Sequence, residues 1–133
     1  MDKIAFRQVT TVEELISFWP FFQRVSPTDN NEMLLHRMLS ALDGGLLLAV
    51  YTGGQMTAYC SVSRSDSYAL IQSLPSDGAN LGFLVLGYIK TWAKENGVKE
   101  IQVVSDRLNG SNYRYFEHTL GFHRKSVIFS LEV

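Results

Sequence analysis

The residues best suited to chemistry form a loop of small residues that runs directly into an apolar helix, predicted over 83–96. The loop consists of Gly78, Ala79, Asn80, Leu81 and Gly82. The first N–H groups of a helix have no partner within the helix, and the positive end of the helix dipole lies behind them. We therefore expect this loop to form a cradle for an anion.

A second group of polar and aromatic side chains lies on a helix predicted over 109–120. Counted from Asn109, the residues Asn112, Tyr113 and Phe116 follow after three, four and seven positions, so the four share one helical face. Tyr115 points about 100° away around the helix. This face presents its amides and rings either to a ligand or to the core, and the spacing leaves both interpretations open.

Length and composition predict one packed globular domain that spans residues 1–133. Hydrophobic residues make up 46% of the chain and charged residues 19%, which is typical of such a domain. The net charge is −1, and no basic cluster exceeds the pair Arg124 and Lys125, so we expect no nucleic-acid partner. The single cysteine, Cys60, excludes an intrachain disulfide and suits a reducing compartment.

The start of the chain leads directly from Met1 into an amphipathic strand, so we expect no signal peptide. No apolar run approaches the ~20 residues that span a bilayer. We therefore expect a cytoplasmic protein without a membrane partner.

The first helix is predicted to follow a strand over 4–9. Thr11 and Glu14 have the spacing of a capping box, which begins this helix, and Pro20 should end or kink it. Its predicted apolar face comprises Val12, Leu15, Ile16 and Trp19.

The second helix begins at an N-cap, either Asn30 or Asn31, and glycines stop it at Gly44 and Gly45. Its predicted buried face comprises Leu35, Met38, Leu39 and Leu42.

The middle of the chain predicts three strands. An apolar run over 46–51 indicates a strand covered on both faces, and residues 52–55 indicate a tight hairpin. The returning strand should have one polar face and one apolar face, the latter comprising Met56, Ala58, Cys60 and Val62. A further strand over 68–74 ends at Pro75.

The third helix should end at Gly97 and bury Leu81, Leu84, Val85, Tyr88 and Trp92. Strands over 100–104 and 127–133 flank the helix over 109–120. The strand–helix–strand unit implies a parallel pair, and the central meander implies antiparallel pairs. The predicted fold class is therefore α/β, a mixed and mostly antiparallel central sheet with helices on both faces.

With these elements placed, the chain resembles the GNAT (Gcn5-related N-acetyltransferase) superfamily over essentially its full length. The run 82–97 is similar to the helix that follows that family's acyl-CoA loop. The residues Asn109, Asn112, Tyr115 and Phe116, followed by Gly121 and Phe122, are similar to its second signature. The order of the two motifs after the expected strands carries the resemblance.

The resemblance implies transfer of an acetyl group from acetyl-CoA, as co-substrate, to the primary amine of a small-molecule or peptide acceptor. It implies direct attack on the thioester, without a covalent enzyme intermediate. The implied cofactor-binding residues are Ser73, Leu74, Gly78, Ala79, Asn80, Leu81, Gly82, Asn109, Asn112 and Phe116. Monomer and homodimer are both compatible with the sequence.

Three positions depart from the family pattern. Asn80 stands where a glycine is usual, Asp77 stands where a neutral or cationic residue is usual, and Phe116 replaces a tyrosine that protonates the leaving thiolate. A carboxylate ~4 Å from a phosphate would be repelled by roughly 4 kcal/mol at an effective dielectric near 20, unless Asp77 instead caps the helix. A GNAT-fold module that binds without catalysis is therefore the alternative function.

Two tyrosines are the candidate catalytic acids. Sequence analogy favours Tyr115, which adjoins Phe116, whereas helix geometry favours Tyr113, which shares its face. The sequence offers no clear general base beyond a water relayed by Gln72, Ser73 or backbone carbonyls.

Other reactive or aromatic side chains are predicted to be structural. The histidines at 36, 118 and 123 lack metal-ligand spacing, so we expect no metal site, and His36 should lie on a helix surface. Cys60 should be a small core residue. Core packing is also expected for the aromatic group formed by Phe18, Trp19, Phe21 and Phe22.

Overall fold

A computed structural model of the protein describes residues 3–26, 30–75, 81–103, 120–123 and 131–132. The described elements are β1 (Ile4–Val9), α1 (Val12–Val25), α2 (Asn31–Leu42), β2 (Leu46–Thr52), β3 (Gln55–Arg64), β4 (Tyr68–Ser73), α3 (Leu81–Glu95) and β5 (Glu100–Val103). The predicted helix over 109–120 and the predicted strand over 127–133 fall almost entirely outside the described residues.

The strands form one five-stranded sheet in the order β1-β2-β3-β4-β5. The first three neighbouring pairs are antiparallel, whereas β4 and β5 are parallel and α3 connects them. A parallel pair requires such a crossover because the chain must return to the same edge before it begins the second strand. The predicted mixed and mostly antiparallel sheet is confirmed.

The central strand β2 is buried on both faces, as its continuous apolar run predicts. Leu46, Leu48 and Val50 belong to the core cluster on the α3 side. Leu47 and Ala49 belong to a second cluster, which packs against α1 and α2. The helices therefore cover both faces of the sheet.

The N-terminus of α1 is capped as predicted, with one difference. The Thr11 hydroxyl accepts a hydrogen bond from the Glu14 backbone N–H at 3.1 Å. The Glu14 carboxylate reaches one residue further back than in a standard capping box and accepts from the N–H of Thr10 at 3.1 Å. The hydrogen bonds that the backbone N–H and the hydroxyl of Thr10 donate to this carboxylate lower its pKa, and the nearby Arg7 guanidinium adds to the effect.

Pro20 is expected to end or kink α1, and it does not end it, because the helix continues to Val25. A kink at Pro20 stays a prediction. The turn after the proline carries Phe22, which is fully buried and contacts the Tyr59 ring edge-on at 5.9 Å. Burial of this side chain holds the chain in the helix despite the hydrogen bond that proline removes.

Two predicted helix faces are partly wrong. On α1, Leu15 is buried but Ile16 is 69% exposed. On α2, Leu35 and Leu39 are exposed, whereas the face that meets the sheet comprises Leu34, Met38 and Ala41. Apolar residues flank both possible faces of α2, so periodicity alone did not determine its rotation about its own axis.

The prediction of one polar face on β3 is also wrong. The pairing of Val50 with Ala58 and of Tyr51 with Met56 leaves Thr57 as an extra residue in a β-bulge. The bulge moves Met56 to the α1/α2 side, where it joins Tyr59 in the core. Both faces of β3 therefore carry buried apolar residues, and Ser61 is a buried polar residue among them.

The third helix begins at Leu81, two residues earlier than the predicted run over 83–96. Its buried residues are Gly82, Val85, Leu86, Ile89, Trp92 and Ala93. The prediction that Leu84 is buried is wrong, because its side chain is 47% exposed. Gly97 ends the helix with a φ of 71°, and the N–H of Val98 donates to the carbonyl of Ala93 at 2.8 Å, as predicted. Among the helices described, none is long and apolar enough to cross a membrane.

Candidate functional site

The end of β4 carries a second β-bulge. Ile71 pairs with Val62 and Ser73 pairs with Ser61, which leaves Gln72 as the extra residue. Ile71 and Leu74 both pack against the core cluster on the α3 side. Gln72 follows Ile71 and so takes the opposite side of the sheet, which α1 and α2 cover. Because the bulge interrupts the alternation, Ser73, which pairs with Ser61, lies on that side as well.

The bulge lies at the carboxyl end of the parallel pair. Within the described residues, the pairing of β4 with β5 extends from Tyr68 and Glu100 to Ile71 and Val103. Gln72 and Ser73 continue β4 beyond the last of these pairs. The carboxyl end of parallel strands is where ligands bind in open α/β sheets, because the chain leaves the sheet there and backbone groups become available.

The first turn of α3 follows β4 after a short connection. Leu81 is partly buried and Gly82 is buried, and Leu74 and Leu81 both pack against the core cluster on the α3 side. The helix therefore begins against the same cluster that the end of β4 contacts. The anion cradle of residues 78–82 stays a prediction.

Only part of the predicted site lies in the described residues. Ser73 and Leu74 are partly buried at the end of β4, and Leu81 and Gly82 form the start of α3. The remaining predicted residues lie outside the described ones, and their roles stay predictions: Gly78, Ala79, Asn80, Asn109, Asn112, Tyr113, Tyr115 and Phe116. Asp77 also lies outside them.

Two buried polar atoms beside the bulge were not found from the sequence. Within the part of the chain that the structure describes, Ser61 Oγ and Gln72 Oε1 are buried without a hydrogen-bond partner. Ser61 is fully buried, although the sequence pattern assigned it to a polar strand face. Its position opposite a bulge could have been recognised only from the register of the strands.

Cys60 and His36 take the structural roles that the sequence predicted. Cys60 is fully buried, and burial raises the pKa of its thiol, so it is held as the neutral, weakly nucleophilic form. His36 is exposed on α2. Among the described residues, no group of three or more histidine, cysteine, aspartate or glutamate side chains could hold a metal ion.

The aromatic group of α1 is only partly core. Phe22 is fully buried, and Phe18 and Trp19 pack against the same cluster. Phe21 is 43% exposed, and the guanidinium of Arg24 lies 5.2 Å from its ring centre. The prediction of core packing therefore holds for three of the four rings.

The architecture is shared with several solved acetyltransferases. Aminoglycoside N-acetyltransferase AAC(6')-Iy, solved with the bisubstrate analogue CoA-S-monomethyl-acetylneamine, has a TM-score of 0.72 at 15% identity, over 98% of this chain and 99% of that one. The aminoglycoside antibiotic 6'-N-acetyltransferase AAC(6')-Ih from Acinetobacter baumannii has a TM-score of 0.65 at 16% identity, over 98% and 99%. An acetyltransferase from Trypanosoma brucei has a TM-score of 0.64 at 14% identity, over 98% and 100%.

At the level of sequence, no family model matches the chain, and no curated protein matches it. The structural likeness covers nearly the whole chain. The chain therefore has the fold of the GNAT acetyltransferases, as its motifs predict.

Proposed function

We propose that this protein is an N-acetyltransferase that transfers the acetyl group of acetyl-CoA to the primary amine of a small-molecule acceptor. The observation that carries the proposal is a bulged β4 that is connected through α3 to the parallel strand β5, in a fold shared with acetyltransferases. One of these neighbours is AAC(6')-Iy, which has also been solved with CoA bound.

The donor would lie across the edge where β4 ends and α3 begins. Backbone N–H groups of residues 78–82 would bind the diphosphate, because a helix start offers free donors and a favourable dipole. The pantetheine arm would extend along Ser73 and Leu74, and Asn109, Asn112 and Phe116 would complete its binding site. Most of these contacts would use the backbone, so they would depend little on which side chains the loop carries.

The reaction would be a direct acyl transfer. The neutral amine attacks the thioester carbonyl, a C–N bond forms, and the C–S bond breaks. Backbone N–H groups at the bulge of β4 would stabilise the negative charge that develops on the carbonyl oxygen. The proton lost by nitrogen ends on the thiolate, delivered by the phenol of Tyr115 or Tyr113 or by a water. Catalysis would come mainly from positioning.

The acceptor class follows from two of the structural neighbours, which are aminoglycoside acetyltransferases. Apolar clusters fill both faces of the sheet, so a small amine would reach the bulge at the edge of the sheet where β4 ends. We therefore place the acceptor at that edge. A peptide amine remains the alternative occupant of the same position.

The proposal is tested by binding and by turnover. Acetyl-CoA at 100 times its dissociation constant should stabilise the fold by about 2.7 kcal/mol, which appears as a thermal shift. Pantetheine, which lacks the diphosphate, should produce a much smaller shift at the same concentration. Release of free CoA in the presence of a panel of primary amines, aminoglycosides included, then measures transfer. Absence of both a shift and binding heat at millimolar acetyl-CoA would contradict the proposal.

A non-catalytic binding module is the second candidate, and Asp77, Asn80 and Phe116 favour it because all three depart from the family pattern. Replacing Asp77→Asn separates the candidates at the donor loop. If the carboxylate faces the diphosphate, the variant should bind CoA about tenfold more tightly or better. Asp66→Asn, which removes an equal charge from an exposed turn, is the control and should leave the affinity unchanged. CoA binding without turnover of any amine would favour the binding module.

A further inference from the structure

The two unpartnered polar atoms at the bulge lie on the same side of the sheet. Ser61 alternates with Cys60 and Val62, which belong to the cluster on the α3 side, so its hydroxyl faces α1 and α2. Gln72 follows Ile71, which also faces α3, so its side chain takes the same side as Ser61. The two residues occupy neighbouring strands at the point where the register shifts.

The chemistry of the two groups is complementary to one small neutral donor. Gln72 Oε1 can only accept a hydrogen bond, whereas Ser61 Oγ can donate one and accept others. They do not bond to each other, because neither has a partner among the described residues. Buried polar groups are almost always satisfied in native proteins, and an unsatisfied pair is often explained by an ordered water.

We propose that Ser61 and Gln72 hold an internal water beneath the bulge of β4, and that this water fixes the conformation of the bulge. The water donates to Gln72 Oε1 and exchanges a hydrogen bond with Ser61 Oγ. The unpaired backbone of the bulged residue supplies a further partner. Three partners are the usual number for a buried water.

A neutral molecule fits this position better than an ion. Ser61 is the one polar residue among the fully buried side chains of the described chain, so no buried charge is available there to balance an ion. The surrounding positions on this side of the sheet belong to the apolar cluster of α1 and α2, including Tyr59 and Leu47. Both atoms are sealed from bulk solvent, which suits a single trapped water.

The water would make Ser61 and Gln72 positioning residues, a role that rests on the proposed acetyl transfer. The backbone N–H groups of the bulge would face the thioester carbonyl, and their direction depends on the local twist of β4. A water bound to the Gln72 side chain and to neighbouring β3 restrains that twist. Loss of the restraint should lower kcat and leave the KM for acetyl-CoA nearly unchanged, because the diphosphate is held elsewhere.

The test is a double-mutant cycle with Ser61→Ala and Gln72→Met, measured by unfolding midpoint and by kcat. Since the two side chains interact only through the water, either single variant should remove the same site. Each should lower kcat by about tenfold, and the double variant should fall no further than the single ones. A crystal structure should show a density peak within hydrogen-bond distance of both atoms in the wild type and none in Ser61→Ala.

The control pair is Ser63→Ala with Gln72→Met. Ser63 lies on the same strand and the same side as Ser61 but pairs with Leu70, before the bulge. The effects of Ser63→Ala and Gln72→Met on stability and kcat should therefore be additive. Independent effects of Ser61→Ala and Gln72→Met on the unfolding midpoint, or an empty site in the crystal, would overturn the proposed water. Unchanged kcat with the water present would overturn the positioning role. A wild type that transfers no acetyl group would refute the proposed function. The double-mutant cycle measured by the unfolding midpoint would still test whether the water is present.

Discussion

At the residue scale, Glu14 links the stability of α1 to pH. Hydrogen bonds from Thr10 to its carboxylate lower its pKa from the usual value of 4.5. A carboxyl whose pKa is lower in the folded state stabilises the fold above its unfolded pKa, and this contribution is lost as the pH falls through the folded pKa. We expect Glu14→Gln to lower the melting temperature at neutral pH, and the difference from wild type to shrink as the pH falls below about 4.5.

Glu13→Gln is the matched control for this prediction. Glu13 also lies in the first turn of α1 and feels the same helix dipole, but its carboxylate does not reach back to Thr10. Thermal unfolding followed by circular dichroism from pH 7 to pH 3 measures both variants. Equal pH profiles for the two would show that the dipole, rather than the hydrogen bonds to Glu14, sets the effect.

At the element scale, the junction of α2 and β2 depends on a close backbone approach at Gly45. A Cβ atom there would clash with the carbonyl oxygen of Val62 and would lie 2.8 Å from that of Ala41. Because both obstacles are backbone atoms, neither can move away cheaply. We expect Gly45→Ala to lower the free energy of unfolding by about 1–3 kcal/mol, measured by chemical denaturation.

Gly87→Ala should raise the free energy of unfolding instead of lowering it. Gly87 lies inside α3, and a Cβ there would meet nothing within 4 Å. Alanine loses less backbone entropy than glycine when a helix forms, so the free energy of unfolding should rise by about 0.5–1 kcal/mol. A destabilised Gly87→Ala variant, or a Gly45→Ala variant as stable as wild type, would contradict the packing described for α3 or for the α2–β2 junction.

At the scale of the whole molecule, the sheet lies between two hydrophobic clusters and contributes side chains to both. Leu47 and Leu48 are adjacent in β2, are both buried, and point into the α1/α2 cluster and the α3 cluster respectively. We expect Leu47→Ala and Leu48→Ala each to lower the free energy of unfolding by about 2–5 kcal/mol. Unfolding by denaturant measures both.

Leu35→Ala on α2 is the control, because Leu35 is 41% exposed. The substitution should change the free energy of unfolding by about 0.5 kcal/mol or less. A cost at Leu35 as large as that at Leu47 would mean that α2 meets the sheet through the face predicted from the sequence, rather than through Leu34 and Met38.

Local signals in the sequence predicted much of the fold correctly. The cap at Thr11, the glycine at position 97 and the apolar run of β2 each depend on residues within a few positions of one another, and each is confirmed. The order of the two motifs likewise predicted the GNAT fold. For the candidate site, the sequence singled out the loop before α3 and the end of β4, whereas the tyrosines and asparagines of the later helix stay predictions.

The sequence by itself determined the order of the described helices and strands, the cap of α1, the end of α3 and the resemblance to the GNAT acetyltransferases. Only the tertiary structure decided that Leu34 rather than Leu35 meets the sheet, that α1 continues through Pro20, and that Thr57 and Gln72 form bulges. The physical reason is distance along the chain. Caps and periodicity act between neighbours, whereas helix rotation and strand register minimise the free energy of contacts between residues far apart in sequence. Ser61, opposite the bulge of β4, is therefore visible only in the folded molecule.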